Sequence, residues 1–321
     1  MTLFVSVWAQ GAPCALAYGC NHTQGVSYSL AYGCIRLAPV ARYSLRLPTQ
    51  AQGRKKVRSF VQFCRPIIIV DGVHLKLGYL GTNLVDVAMD GNNGILPLAD
   101  GIGEAHGISN VFPGAFHAFC ARHLFMNVKG KSSKLKYFEW HYWKMVKAYH
   151  ASDFQDHLSV FQRRLTATYK YLEDVGFHKF SRNRAEHVRY SYLTSNSVES
   201  INALSKHARK LPVCMLLEFL RASVQDWYFK HRNTSVSLTS TVTPYTERKI
   251  AKMTKKSRRW QAIPSTNNLI EVRNGRKNGM VNLEDIVCSC SQWKLSGIPC
   301  GHVIAAARCF EVEDVTCYVS C

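Results

Sequence analysis

A chain of 321 residues, 47% of them hydrophobic, has length for one large domain or two medium ones and material for a packed core. Lys and Arg number 41 against 21 Asp and Glu, a formal net charge of +20 that attracts polyanions, nucleic acid being the commonest. Twelve cysteines in so long a chain are too scattered for a secreted disulfide scaffold, and no apolar run is long enough to span a membrane, so a reducing compartment, nuclear or cytosolic, with no membrane contact is expected, the nucleus suiting a basic chain.

The first stretch, residues 1–58, stands apart. Its start is mildly apolar but lacks the basic flank of a secretory leader. Residues 10–20 recur as residues 24–34, both ending Leu-Ala-Tyr-Gly-Cys. Two copies are too few to stack into a solenoid, so this region is expected to be poorly ordered. A basic cluster at residues 54–58 closes it.

Residues 59–232 read as one folded region. The apolar run at residues 67–70, between Pro66 and Asp71-Gly72, predicts a buried strand. Residues 79–89 predict a second strand, residues 90–94 (Asp-Gly-Asn-Asn-Gly) a turn, and residues 95–99 an antiparallel return. Together they predict a three-stranded meander. Residues 120–232 predict mainly helix. The clearest helix starts at Pro212, with Val213, Leu216, Leu217, Leu220, Val224, Trp227 and Tyr228 on one face and Lys230, His231 and Arg232 at its end.

Residues 233–264, rich in Ser and Thr and then basic at residues 255–259, predict a linker. The basic run suits either a nuclear address or phosphate contact, or simple solvation.

The most specific pattern lies in residues 265–321. Cys288 and Cys290 are separated by one residue; nine residues later come Cys300 and His302, again one apart. Zinc prefers four soft or borderline donors in a tetrahedron, which three thiolates and an imidazole supply. One intervening residue in a strand places both cysteines on one side. Gly297 and Pro299 supply a turn, and His302 opens a short apolar helix. A ββα unit closed around structural Zn²⁺ is predicted, with Cys309, Cys317 and Cys321 as free thiols.

This segment, Cys-Ser-Cys followed by Gly-Ile-Pro-Cys-Gly-His, resembles the SWIM zinc finger of plant Mutator-like transposases and the related far-red-impaired-response family. By that resemblance Cys288, Cys290, Cys300 and His302 are the ligands, and the module is expected to contact DNA or a protein, including a second copy of the chain. Further phrases resemble the same transposases, in the same order: Val-Asp-Gly-Val-His-Leu-Lys at 70–76, Met-Asp-Gly-Asn-Asn-Gly-Ile-Leu-Pro-Leu-Ala at 89–99, Cys-Ala-Arg-His-Leu-Phe-Met-Asn at 120–127 and Leu-Thr-Ser-Asn-Ser-Val-Glu-Ser-Ile-Asn at 193–202.

The resemblance implies an α+β (α/β) architecture: an RNase-H-like domain, a helical region and the small finger. It also implies a catalytic carboxylate triad holding Mg²⁺ or Mn²⁺, with Asp71 and Glu199 matching the first and third acids. Cys120 and His123 match a Cys-x-x-His phrase and are expected to pack or give local polar support. The family's second Asp, with its helix and strand, is missing between residues 100 and 107. Asp100 and Glu104 are nearby without the matching context. The RNase-H-like domain is therefore expected to be incomplete and catalytically defective, with a first strand lacking its parallel neighbour. An active transposase using a substitute carboxylate such as Asp100, and a transcription regulator without cleavage activity, are the alternatives.

Overall fold

The computed structural model describes residues 3–6, 64–74, 82–103, 116–266, 268–275 and 277–319. The repeated segment at 10–34 lies outside the described residues, as do Glu104 and Cys321.

Apolar strand segments build the first sheet. Strands β1 (Leu3–Ser6), β2 (Cys64–His74), β3 (Thr82–Asp90), β4 (Ile95–Gly103) and β5 (Phe116–Phe119) lie in the order β4-β3-β2-β1-β5, each adjacent pair antiparallel. Ile67 and Ile69 of β2 pack with Val85, Val87 and Met89 of β3 on one face. Ile68, Val70 and Ala88 are buried as well, so both faces of β2 are covered. That explains an unbroken apolar run where a half-exposed strand would alternate. The expected meander is present, with β2 and β4 longer at both ends and at the far end, respectively, than the apolar runs alone suggested.

Strand β2 does not carry the bare edge expected of it. β1 pairs with it (Phe4 opposite Ile69) and on its other side with β5 (Phe4 opposite Ala118). Because β1 runs antiparallel to both, β2 and β5 are parallel to each other with β1 between them. Residues 3–6 thus belong to the folded sheet, a correction to the reading of the first 58 residues as poorly ordered throughout.

The helical region follows as α1 (Ala121–Lys131), a 3₁₀ turn (Ser133–Phe138), α2 (Glu139–Lys147), α3 (Ala151–Arg164) and α4 (Thr166–Val175). Their apolar stripes meet in a separate core around Phe125, Leu135, Tyr142, Phe154, Phe161 and Phe180. The buried Tyr142 hydroxyl donates to Ala121 O at 2.7 Å, so burying it leaves no unmet donor. Helix α5 (Asn196–Leu204) lies on the β2–β3 face through Val198 and Ile201.

Helix α6 (Val213–Val236) begins after Pro212, as expected, and buries Leu216, Leu220 and Val224. It runs four residues past Arg232, so Lys230, His231 and Arg232 do not form its last turn.

Residues 233–264 are not a linker. Helix α6 runs into this span as far as Val236, and helix α7 (Pro244–Ser257) occupies its middle, with Thr243 as N-cap and Pro244 in the first turn. Its start is tied to the β3–β4 turn: Thr243 Oγ1 donates to Gly91 O at 3.0 Å, and Asn92 Oδ1 accepts Tyr245 N–H at 2.9 Å. Arg65 reinforces the junction, donating to Tyr192 OH at 2.7 Å and Gly91 O at 3.2 Å while lying over the rings of Tyr190, Tyr192 and Tyr245.

The second sheet is β6 (Gln261–Pro264), β7 (Leu269–Arg273), β8 (Gly279–Asn282) and β9 (Val287–Cys288), antiparallel throughout. Helices α8 (Gln292–Ser296) and α9 (Gly301–Cys309) complete the unit. Four strands and two helices replace the expected ββα, and the first strand lies before residue 265, inside the segment read as a linker. α9 packs on α7, and Arg308 Nη2 donates to Ser257 O (3.3 Å) and Trp260 O (3.2 Å) at the end of α7. Among the described residues no helix is long and apolar enough to cross a membrane.

Candidate metal centre

Three local features bring the four candidate ligands together. Cys288 ends β9, held in register opposite Val281. The strand stops there, so Cys290 is placed by a turn and not by continued alternation: Ser289 N donates to Met280 O and Ser291 N to Cys288 O, each at 2.9 Å. Ser291 takes the left-handed φ of 58° that starts α8, and Gly297, at φ 72°, ends it. The chain then returns through Pro299, and Cys300 becomes the N-cap of α9, with His302 in the first turn.

The resulting group is closed and dry. Cys288, Cys290, Cys300 and His302 are 4, 3, 1 and 5% exposed, and their donor atoms all lie within 4.8 Å of one another. Cys288 Sγ is 3.4 Å from Cys290 Sγ and 3.8 Å from His302 Nδ1; Cys300 Sγ is 4.0 Å from the same Nδ1. A tetrahedral zinc with ~2.3 Å Zn–S bonds has S···S edges of ~3.8 Å. The one sulfur–sulfur spacing above is a few tenths of an ångström shorter than that edge, and all four donors lie within 4.8 Å of one another, so the donor set fits the ion in kind, number and approximate size.

Electrostatics favour a cation here. The Cys290 thiol is held well below its ordinary range by a hydrogen bond from Cys288 and then one from Cys300. Its thiolate, bonded to Cys288, helps push the Cys288 thiol up to about 12, and Cys300 is pushed up by its contacts with Cys288 and Cys290 and by burial. Three sulfurs crowded without a metal therefore retain protons that a dication would displace.

Residues beyond the ligands position the imidazole. The side-chain amide of Asn274 lies 3.0 Å from His302 Nε2, leaving Nδ1 facing the sulfurs. Trp260 covers the ring, centroids 4.9 Å apart. Gly279 lies beneath it: a β-carbon there would stand 2.7 Å from both His302 Cδ2 and Cγ. The sequence reading missed all three. The available signal was the Asn-Gly pairs at 274–275 and 278–279, and a glycine inside a strand marks a close approach. Around them Ile270, Val272, Val281, Trp293 and Val303 form a core of their own, with Trp293 Nε1 donating to Tyr318 O at 2.8 Å. Cys309 and Cys317 are free thiols, as expected, and both are exposed.

The acidic residues are arranged differently. Asp71 lies in β2, 8% exposed, its Oδ1 accepting Gly72 N–H at 2.9 Å. Glu199 lies on α5, the helix packed against that strand. Its Oε1 accepts from Ser195 Oγ at 3.3 Å and stands 3.9 Å from His123 Nε2. Ser195 N donates to Cys120 Sγ at 3.3 Å, and the same hydroxyl oxygen lies 3.4 Å from both Cys120 Sγ and His123 Nδ1, so Cys120 and His123 support a local polar cluster.

Asp100 falls in β4, opposite Val85, which is itself opposite Asp71. It is therefore two strand spacings from Asp71, roughly 10 Å along the sheet. Among the described residues, the group of three or more His, Cys, Asp or Glu side chains suited to a metal is the cysteine–histidine quartet, and Asp71 and Glu199 are not part of one.

Comparison with curated proteins and with solved structures gives no match. Residues 272–311, which include all four ligands, match the SWIM zinc finger family model, and the C-terminal unit is accordingly a zinc-binding SWIM module.

Proposed function

We propose that this protein is a zinc-stabilised, DNA-contacting derivative of a Mutator-like transposase that no longer cuts DNA. Zinc at Cys288, Cys290, Cys300 and His302 is structural: four protein donors close the tetrahedron and leave no open position for substrate. What the ion supplies is a cross-link between β9, the turn after it and the start of α9. The observation that carries this reading is the buried quartet behind a surface of net charge +20.

Support for transposase ancestry is the order of the matching phrases and the placement of Glu199's helix on Asp71's strand. The sheet order also bears on it. β1, running antiparallel, takes the place beside β2 where the resemblance puts the missing strand and its Asp. An incomplete RNase-H-like domain, patched by a segment without that carboxylate, accounts for both the sheet and the absent second acid. Mg²⁺ or Mn²⁺ would matter only were the acidic site active. A nuclear location and a protein or self-association contact through the SWIM module belong to the same proposal.

The test pairs two measurements on the full chain. Wild type should bind duplex DNA with a steep loss of affinity as salt rises, and should give no strand cleavage or transfer in Mg²⁺ or Mn²⁺. Activity that Asp71→Ala abolishes would overturn the non-enzymatic reading. Absence of DNA binding at low salt would overturn the contact with DNA.

A further inference from the structure

The 3₁₀ turn and helix α2 present a second surface, remote in sequence from the zinc ligands. Its inner side is fixed by Leu135, Tyr142, Met145 and Val146, all buried. Its outer side alternates cations and aromatic rings. Tyr137 and Trp140 are 75% and 60% exposed. Lys136 Nζ lies 4.8 Å from the Tyr137 centroid, Lys144 Nζ 5.4 Å from that of Trp140, and Lys147 Nζ 5.0 Å from that of Trp143. Positions 140, 144 and 147 follow the three-and-four spacing of one face of α2, and Lys136 and Tyr137 lie in the 3₁₀ turn before it.

Two observations separate this face from an ordinary solvated one. First, the exposed Trp140 ring is held. It stands at 89° to the His141 ring and 87° to the His157 ring, centroids 4.9 and 5.1 Å away, and the two imidazoles approach Nδ1 to Nδ1 at 3.1 Å. The indole is braced while most of its area stays open. Second, the charge is one-sided. Lys134, Lys136, Lys144 and Lys147 stand against a single acid over residues 133–147, and that acid, Glu139, accepts the Trp143 Nε1 hydrogen at 3.2 Å; of the acids on α3 near His157, Asp153 is paired with Lys277 and Asp156 is the other.

Braced flat rings among cations match a ligand with flat apolar faces strung on a polyanion. Duplex DNA offers the charge but hides its base faces in the stack; an unpaired strand offers both. We infer that the outer face of residues 133–147 binds single-stranded DNA, with bases stacking on Tyr137 and Trp140 and phosphates meeting Lys136, Lys144 and Lys147. This rests on the reading of the chain as a DNA-contacting protein and adds where, and to which form of DNA, contact is made.

The experiment is fluorescence anisotropy with the zinc-loaded full chain and three labelled probes of equal length: an oligothymidylate, a mixed-sequence duplex and an oligouridylate. Wild type should favour the oligothymidylate. Trp140→Ala and Tyr137→Ala should each weaken that binding about tenfold, while Trp140→Phe keeps most of it because a stacking face remains. Lys144→Ala with Lys147→Ala should flatten the dependence of log K on log salt by about 1.4, roughly 0.7 for each phosphate no longer neutralised. All substituted positions are exposed, and zinc content and circular dichroism confirm the fold of each variant. Wild-type affinity in both aromatic-to-alanine variants would overturn the surface while leaving DNA contact intact, as would preference for the duplex or for oligouridylate. Failure of wild type to bind any probe would bring down the DNA reading and this inference together.

Discussion

His302 has little freedom to move. Asn274 meets its Nε2, Trp260 covers one side, and Gly279 leaves the space the ring occupies. Such neighbours set metal affinity nearly as strongly as the ligands do. Gly279→Ala should therefore displace the imidazole and weaken zinc binding about 10–100-fold in a chelator competition, with the three thiols unchanged. An affinity equal to wild type would mean that the ring is not confined from below.

The sulfurs carry a separate prediction. With Cys290 already depressed and Cys288 and Cys300 raised, a preformed site gives up about two protons per zinc at neutral pH. The sign follows: affinity falls as pH falls, because protons compete for the same sulfurs. Calorimetry in buffers of different ionisation enthalpy reads the number, and a count nearer three would show that the site assembles only as metal binds.

At the scale of elements, helix α7 joins the two sheets. Its N-cap Thr243 is held by the β3–β4 turn, and its C-terminal carbonyls by Arg308 of α9. Thr243→Ala removes both the cap and the bond to Gly91, and should cost about 1 kcal/mol or somewhat more in urea unfolding. No loss would indicate that the junction contributes nothing to stability.

This helix also shows where sequence reading fails. Its buried stripe is Thr246, Ile250 and Ser257, with Ile250 the one large apolar member, too little for a search for apolar periodicity to find. The Thr-Pro start signal was present but sat within a Ser/Thr-rich stretch. By contrast, the meander was legible because β2 is apolar on both faces and the Asp90–Gly94 turn is unmistakable. The four ligands were legible because paired spacing is itself the signal. Gly279, Asn274 and Trp260 were not, since closeness to His302 arises only when the β7–β8 hairpin and the end of α7 fold against α9.

At the scale of the molecule, the three larger cores among the described residues are distinct: the β2–β3 face under α5, the α1–α4 helical core, and the finger. Zinc bridges residues of the third alone. Chelation should therefore abolish amide protection in β7, β8 and α9 while α2 and α3 keep theirs, a pattern that hydrogen exchange with mass spectrometry resolves. Uniform loss across the helical core would show that the finger holds the whole chain together. The same separation explains how a SWIM module stays intact beside a domain that has lost a carboxylate.

The donor set itself is tested most directly by X-ray absorption at the zinc edge of the purified protein. One zinc per chain is expected, with three sulfurs at ~2.3 Å and one nitrogen at ~2.0–2.1 Å, and His302→Cys should convert that shell to four sulfurs. A wild-type shell of four sulfurs, a shell containing oxygen, or no bound zinc would contradict a site made of Cys288, Cys290, Cys300 and His302.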